Sequence, residues 1–253
     1  MAEAPTVLNA EDLQLVPGSE VISEQVRKQE IVGLAGLDGH GQAQFLEVLA
    51  GKRSPAAGRV LAQTDRGAQE ITSLSVAARA RVGYLPADRK RNGIFPGLSV
   101  LDNFTLGNLA GFSKAGWLKP RKARSALDNY RDELSMTYAS TGMHINRLSG
   151  GNQQKVLLAR AMARQPNVML LNDPTRGVDI QTRKALYSYL RRAVSDAGVT
   201  LVILSTELEE ILELCDRVIV FRDNGISARI DRQDMTLDSV MAAMFGQLKE
   251  ADT

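Results

Sequence analysis

Leu148-Ser149-Gly150-Gly151-Asn152-Gln153-Gln154-Lys155 opens a helical pattern that runs to Arg164 and stops at Gln165-Pro166. Ser149 is placed to cap that helix or to donate its hydroxyl to an oxygen. Gly150 and Gly151 allow close backbone approach, and the helix dipole favours an anion at this end. Alone, the stretch also fits an ordinary Ser-capped helix. Two flanking segments narrow the reading. Downstream, the apolar run Val168-Met169-Leu170-Leu171 ends on Asn172-Asp173-Pro174-Thr175. Upstream, Gly36-Leu37-Asp38-Gly39-His40-Gly41-Gln42-Ala43 closes the run Glu30-Ile31-Val32-Gly33-Leu34-Ala35. It leads into a helical face of Phe45, Leu46, Val48 and Leu49, stopped by Gly51. Strand, glycine loop and helix in that order is the geometry of a phosphate loop.

A Walker A phosphate loop works by geometry and charge together. Its glycines let backbone N–H groups curl around phosphates, and the helix N-terminus adds positive partial charge. A Lys then meets the terminal phosphates and a Ser or Thr hydroxyl ligates Mg²⁺. Gly36, Gly39 and Gly41 keep the backbone design, but Gln42 stands where the Lys belongs and Ala43 where the hydroxyl belongs. Asp38 adds a negative charge that opposes an anion. The expectation is weak or no nucleotide in this pocket and negligible hydrolysis. Taken alone, the loop also fits a glycine-rich turn without a ligand. A dinucleotide fingerprint is weakly supported, because the third glycine is missing.

The other segments alternate between strand and helix. Val7 to Glu30 reads as strands and turns around Pro17-Gly18. Arg81 to Leu85 is a short strand closed by Pro86. Ser99 to about Asn146 is helix-rich, with Lys119-Pro120-Arg121-Lys122-Ala123-Arg124 as a solvated face. A helix from about Gln181 to Val194, a strand from Val199 to Leu204 and an edge strand from Arg217 to Phe221 follow. This alternation predicts an α/β fold with a mostly parallel sheet covered on both faces.

Composition excludes several classes. The 253 residues, 44% of them hydrophobic, suffice for a buried core. A net charge of +2 argues against a dedicated nucleic-acid binder. One Cys rules out a disulfide framework, and one Cys with two His speaks against a zinc site, so no metal ligand set is assigned. Cys215 reads as a buried small hydrophobe. No apolar run approaches the roughly 20 residues that cross a bilayer. Met1-Ala2-Glu3-Ala4-Pro5 has an acid where a signal peptide needs a basic start. The expectation is a cytosolic protein that meets membranes only through an embedded partner.

The string Leu148 to Lys155, at this distance before Val168 to Asp173, resembles the signature motif and Walker B strand of ABC-type ATPases. The resemblance covers nearly the whole chain. It implies a P-loop NTPase fold with an N-terminal antiparallel β subdomain and a helical subdomain at about 98–146, in a single domain of residues 1–253. In that family two ATPase domains pack head to tail, and the signature of one closes over ATP held by the other. Leu148, Ser149, Gly150, Gly151, Asn152 and Gln153 would thus contact ATP on a partner. Ser149 and Gly151 are expected at an exposed helix N-terminus. Pro174-Thr175-Arg176-Gly177-Val178-Asp179 matches the D-loop, whose Asp179 would face the partner site. Leu204-Ser205-Thr206-Glu207 matches the region carrying the switch His, and Asp216 to Val220 the next strand.

The departures from the family pattern cluster at catalytic positions. Asn172 replaces the Walker B Asp, and Asp173 the Glu that orients water. Asp is one methylene shorter, and a misplacement of about 1 Å can cost on the order of a hundredfold. Thr206 stands at the switch His and Ala87 at the Q-loop Gln. Val7 to Val26 lacks an aromatic for stacking adenine. This is similar to the degenerate second ATPase domain of bacterial ribose- and galactose-type importers. That group usually fuses both domains in one chain and keeps Asp-Glu where this chain has Asn172-Asp173; here the unit starts at Met1 and reads as a separate subunit. The resemblance implies an enzyme only within a complex, with ATP and Mg²⁺ at a composite site. It implies as partners a competent ABC ATPase subunit, transmembrane permease subunits and, indirectly, a periplasmic or extracellular solute-binding protein. The chain would lie at the cytoplasmic face of the plasma membrane. Two rivals are an autonomous homodimeric ATPase, which Gln42, Ala43 and Asn172 oppose, and a regulatory or scaffold module, which the intact signature opposes.

Overall fold

The structure is a computed structural model that describes residues 4–114 and 116–247. Met1 to Glu3 of the segment weighed as a signal peptide, and the two ends of the expected 1–253 domain, lie outside the described residues. In chain order the first elements are β1 (Thr6–Gln14), β2 (Ile22–Arg27), β3 (Ile31–Gly36), α1 (Gln42–Leu49), β4 (Ala57–Thr64), β5 (Gly67–Glu70), α2 (Leu74–Arg79) and β6 (Val82–Leu85). Then come α3 (Arg89–Asn92), α4 (Val100–Leu106), β7 (Ser113–Lys114), β8 (Trp117–Leu118), α5 (Pro120–Glu133) and α6 (Gly150–Met162). The last are β9 (Val168–Asn172), α7 (Ile180–Ser195), β10 (Thr200–Leu204), α8 (Leu208–Leu214), β11 (Arg217–Arg222), β12 (Gly225–Asp231) and α9 (Leu237–Met244).

The chain packs as two compact units. The first comprises the chain up to Tyr84, Asn167–Asp173 and the chain from Val194 onward. Its main sheet has the order β12-β11-β3-β10-β9-β6. Strands β11, β3, β10 and β9 run parallel. β3 and β10 are almost wholly buried along their length, which is why they read as unbroken apolar runs. A second, antiparallel sheet has the order β2-β1-β4-β5. β2 alternates buried and exposed residues, the pattern of a strand with one wet face. Phe45 on α1 and Phe221 on β11 pack as a tilted pair in the core with centroids 5.1 Å apart. Cys215 is buried, as read, and burial pushes its thiol pKa well above the usual range.

Arg217–Phe221 is not an edge strand. β11 lies between β3 and β12, and β12 forms the edge. The hairpin turns at Asp223 and Asn224, both at positive φ (51° and 64°), followed by Gly225. Asp-Asn-Gly is a turn signal that permits such backbone, and it hides the extra strand behind an alternating, half-polar sequence.

Register places the chemistry. Leu34 of β3 pairs with Leu204 of β10 and with Ile219 of β11, and Leu204 also pairs with Asn172 of β9. The carboxyl ends of β3, β10 and β9 are therefore level. The loops that leave them, at Gly36, Ser205 and Asp173, emerge side by side, where open α/β sheets bind ligands.

The second unit comprises Leu85–Pro166 and Pro174–Ala193. The helix-rich stretch at 98–146 falls inside it. Ser99 caps α4 by accepting from the Asp102 N–H at 3.0 Å. α5 begins on Pro120, whose fixed φ suits a first helical turn. Its Lys119–Arg124 run faces solvent apart from the buried Ala123, as read. Among the described residues no helix is long and apolar enough to cross a membrane.

Candidate functional site

In the first unit, the Gly36–Ala43 loop leaves β3 and enters α1. Gly39 and Gly41 sit at positive φ (83° and 105°), which only glycine adopts without strain here. A Cβ on Gly41 would lie 2.9 Å from the Asn224 Cα. The His40 N–H donates to the Leu37 carbonyl at 3.0 Å and tightens the loop. Gln42 is only 7% exposed. Its Nε2 donates to the Gly36 carbonyl at 3.0 Å and the Leu37 carbonyl at 2.8 Å. Its Oε1 is buried and meets no donor among the described residues. The side chain thus folds back into its own loop. Ala43 is exposed on the first turn of α1.

The strand ends beside the loop are equally self-engaged. Asn172 hydrogen-bonds the Tyr84 side chain, and burial pushes the Tyr84 hydroxyl pKa upward. Asp173 is buried at φ 47°, with its N–H donating to the Leu204 carbonyl at 2.7 Å. Its Oδ1 accepts from the Thr206 N–H at 2.8 Å and from the Thr206 hydroxyl at 3.1 Å. Asp173 and Thr206 therefore bond each other. The structure brings Gly36, Gln42, Asn172, Asp173 and Thr206 to one end of one sheet. Tyr84 went unread, although an aromatic residue ending a strand before Pro86 is its signal.

In the second unit, Ser149 is exposed and caps α6. Its Oγ accepts from the Asn152 N–H at 3.3 Å and from Asn152 Nδ2 at 3.1 Å. The residues that follow fasten the helix from within. Asn152 Oδ1 accepts from the Thr137 N–H at 2.8 Å. Gln153 Nε2 donates to the Ile145 and Leu148 carbonyls at 3.3 and 3.2 Å. Gln154 Nε2 donates to the Pro174 carbonyl at 2.7 Å, and Lys155 Nζ to the Ser135 carbonyl at 3.0 Å. Burial lowers the Lys155 pKa, with Asp179 opposing.

One expectation about this helix is corrected. Gly151 is not exposed beside Ser149; it is buried, and a Cβ there would meet Thr182 Cγ2 at 2.9 Å. Helical geometry turns the second glycine inward, whereas Ser149, Gly150 and, in part, Asn152 keep surface at this end. Asp179 is exposed, and it caps α7: Oδ1 accepts from the Thr182 N–H at 2.9 Å and Oδ2 from the Thr182 hydroxyl at 2.8 Å. The Thr182 N–H holds the Asp179 carboxyl below the usual carboxylate range. Ala87 is half-buried, next to Asp88, which caps α3. Arg89 was missed as a site residue; its Nη1 donates to the Arg176 carbonyl at 2.7 Å.

The sequence profile of the ABC transporter family matches residues 20–176. The chain belongs to that family, as its ATP-binding domain. Among its relatives, a putative ribose/galactose/methyl galactoside import ATP-binding protein of Halalkalibacterium halodurans is 33% identical over 245 residues, 97% of this chain and 46% of the relative. One of the same description from Geobacillus kaustophilus is 37% identical over 229 residues, 90% of this chain and 45% of the relative. The chain spans less than half the length of these curated relatives. Among solved structures, the dimeric ATP-binding cassette MJ0796 bound to ADP and Pi covers 89% of this chain at TM-score 0.73 and 20% identity, over 98% of its own length. The cassette MJ1267 in its ADP conformation covers 96% at TM-score 0.76 and 18% identity, over its whole length. The fold is that of P-loop ABC ATPases, a mixed sheet with parallel central strands and an antiparallel β sheet.

Proposed function

We propose that this chain is the ATP-binding subunit of an ABC importer for a monosaccharide or related small solute, with a degenerate nucleotide site of its own. It supplies Leu148, Ser149, Gly150, Gly151, Asn152 and Gln153 to a competent partner ATPase subunit. The observation that carries this reading is the contrast between the two sets of residues. Gln42 spends its amide donor on the Gly36 and Leu37 carbonyls, and Asp173 spends a carboxylate oxygen on Thr206. The head of α6, in contrast, is fully braced while Ser149 remains exposed.

The chemistry follows from these residues. A neutral amide cannot neutralise a phosphate, and the Gln42 side chain fills the space beside Gly36. Mg²⁺ demands near-octahedral oxygen ligands; Ala43 offers none and Asn172 lacks a carboxylate, so this pocket does not fit the ion. At the other site, Ser149 Oγ accepts from Asn152 and keeps its own proton to donate to a phosphate oxygen. The α6 N-terminus adds favourable partial charge. ATP and Mg²⁺ would then belong to the composite site formed with the partner, and the isolated chain would be nearly inactive.

The names of the relatives support the solute class. We read residues 98–146 as the helical subdomain of a single ABC domain, docking permease subunits that receive solute from a solute-binding protein. The chain would sit peripherally at the cytoplasmic face of the membrane, without nucleic-acid partners. One observation favours the rival reading as a regulatory or scaffold module: Asp179 is engaged by its own Thr182. Co-purification decides between them. The chain should capture a second, intact ATPase with permease subunits, and ATP turnover should appear in the complex. A stable complex whose turnover is unchanged when this chain is omitted supports the scaffold.

A further inference from the structure

We propose that Arg89 is a positioning residue that locks the Arg176-Gly177 loop to the head of the signature helix. Through it, the two elements this chain would offer a partner are presented as one rigid surface. The inference rests on the preceding reading only for its catalytic consequence; the lock itself is a matter of geometry within the second unit.

Three contacts define the lock. Arg89 Nη1 donates to the Arg176 carbonyl at 2.7 Å, and Nη2 reaches the Gly177 carbonyl at 3.5 Å. Nη2 also lies 2.5 Å from where a Gly150 Cβ would stand, so the guanidinium occupies the space that this glycine leaves open. The same Cβ would come within 3.2 Å of the Gly177 carbonyl, which puts loop, arginine and helix head in mutual contact.

The backbone that carries Arg89 is itself anchored to α6. Asp88 caps α3 by accepting from the Lys90 and Arg91 N–H groups at 3.0 and 3.1 Å. The Gly93 and Ile94 N–H groups close on the Arg89 carbonyl at 3.0 and 2.8 Å. Arg160 of α6 donates to the Gly93 carbonyl at 2.7 Å. A Cβ on Gly93 would sit 2.7 Å from Leu157 Cδ1. Arg89 therefore leaves a fixed base and reaches across the helix head to the loop.

Its electrostatics are unfavourable for a merely stabilising residue. A cation beside a helix N-terminus opposes the helix dipole. Its Nε is buried without an acceptor, and among the described residues no carboxylate pairs with it. Two neutral carbonyls offset that only in part. What the arrangement secures is position.

The test uses Arg89→Ala and Arg89→Lys in the full chain, with circular dichroism to confirm folding. In the isolated chain, Arg89→Ala should speed amide exchange at residues 176–179, and Arg89→Lys should speed it less. In the assembled complex, Arg89→Ala should lower kcat for ATP by about tenfold to a hundredfold while KM changes by less than about twofold. Arg89→Lys should recover part of kcat. The Gly150→Ala substitution, which evicts the guanidinium, should add little to Arg89→Ala, since both break one contact. Unchanged exchange at 176–179 in Arg89→Ala overturns the lock. Normal kcat in Arg89→Ala, while Ser149→Arg still abolishes turnover, overturns its catalytic consequence alone. Full activity of the Ser149→Arg complex instead overturns the preceding reading, and the exchange result still decides the lock.

Discussion

At the scale of a single residue, Gln42 occupies the loop that leads into α1. It gives two hydrogen bonds to the start of the loop it closes and leaves one buried oxygen without a donor. An unsatisfied buried carbonyl costs about 1–3 kcal/mol, which offsets much of what the two bonds contribute. Gln42→Lys should raise phosphate affinity, and it should not restore hydrolysis, because Ala43, Asn172, Asp173 and Thr206 still leave metal and water unplaced. Nucleotide titration and steady-state hydrolysis by this chain, free of contaminating ATPase, check both halves. Turnover regained from the single change would show that the other departures matter less than argued. Gly41 makes a second case. At φ 105° and with Asn224 Cα 2.9 Å from its missing Cβ, Gly41→Ala should destabilise the fold by about 1–3 kcal/mol, read as a lowered denaturation midpoint.

At the scale of elements, the two glycines at the head of α6 part company. Gly150 is half-exposed, while Gly151 packs on Thr182. Gly151→Ala should therefore lower thermal stability of the isolated chain by about 1–3 kcal/mol, an effect of overpacking and not of lost phosphate contact. The cap of α7 gives it a pH dependence whose sign follows from its hydrogen bonds. The folded Asp179 carboxyl lies below its ordinary value because the Thr182 N–H bonds it. Its cap is thus complete above the unfolded carboxylate range and is lost as pH falls through the depressed value. Asp179→Asn should flatten the acid limb of the stability profile, as followed by helical signal against pH. β3, β9 and β10 were legible because buried parallel strands are continuous apolar runs bounded by loops. The α6 cap was legible because Ser before glycines and a helical period is a local pattern. β12 was not, because its solvent-facing residues dilute the pattern and only the Asp223-Asn224-Gly225 turn announces it. The Asp173–Thr206 and Arg89–Arg176 contacts were invisible, since each joins segments distant in sequence through folding alone.

On the proposed function, the whole molecule keeps the ABC ATPase fold and divides its chemistry. One unit ends its sheet in a glycine loop occupied by its own Gln42, and the other braces helix α6, whose capping Ser149 is exposed. Alone, the chain should bind ATP poorly and hydrolyse it at background rate, a result that calorimetry and a phosphate-release assay would check. The most direct measurement is steady-state ATP hydrolysis by the assembled complex carrying Ser149→Arg in this chain. The arginine would overfill the gap at the exposed head of α6 and remove a phosphate donor. Donors of that kind are worth about 2.7–4 kcal/mol, so kcat should fall by roughly a hundredfold to a thousandfold, with circular dichroism unchanged. Near-normal hydrolysis and transport by the mutant complex would contradict the claim that this chain lends its signature to a partner's nucleotide.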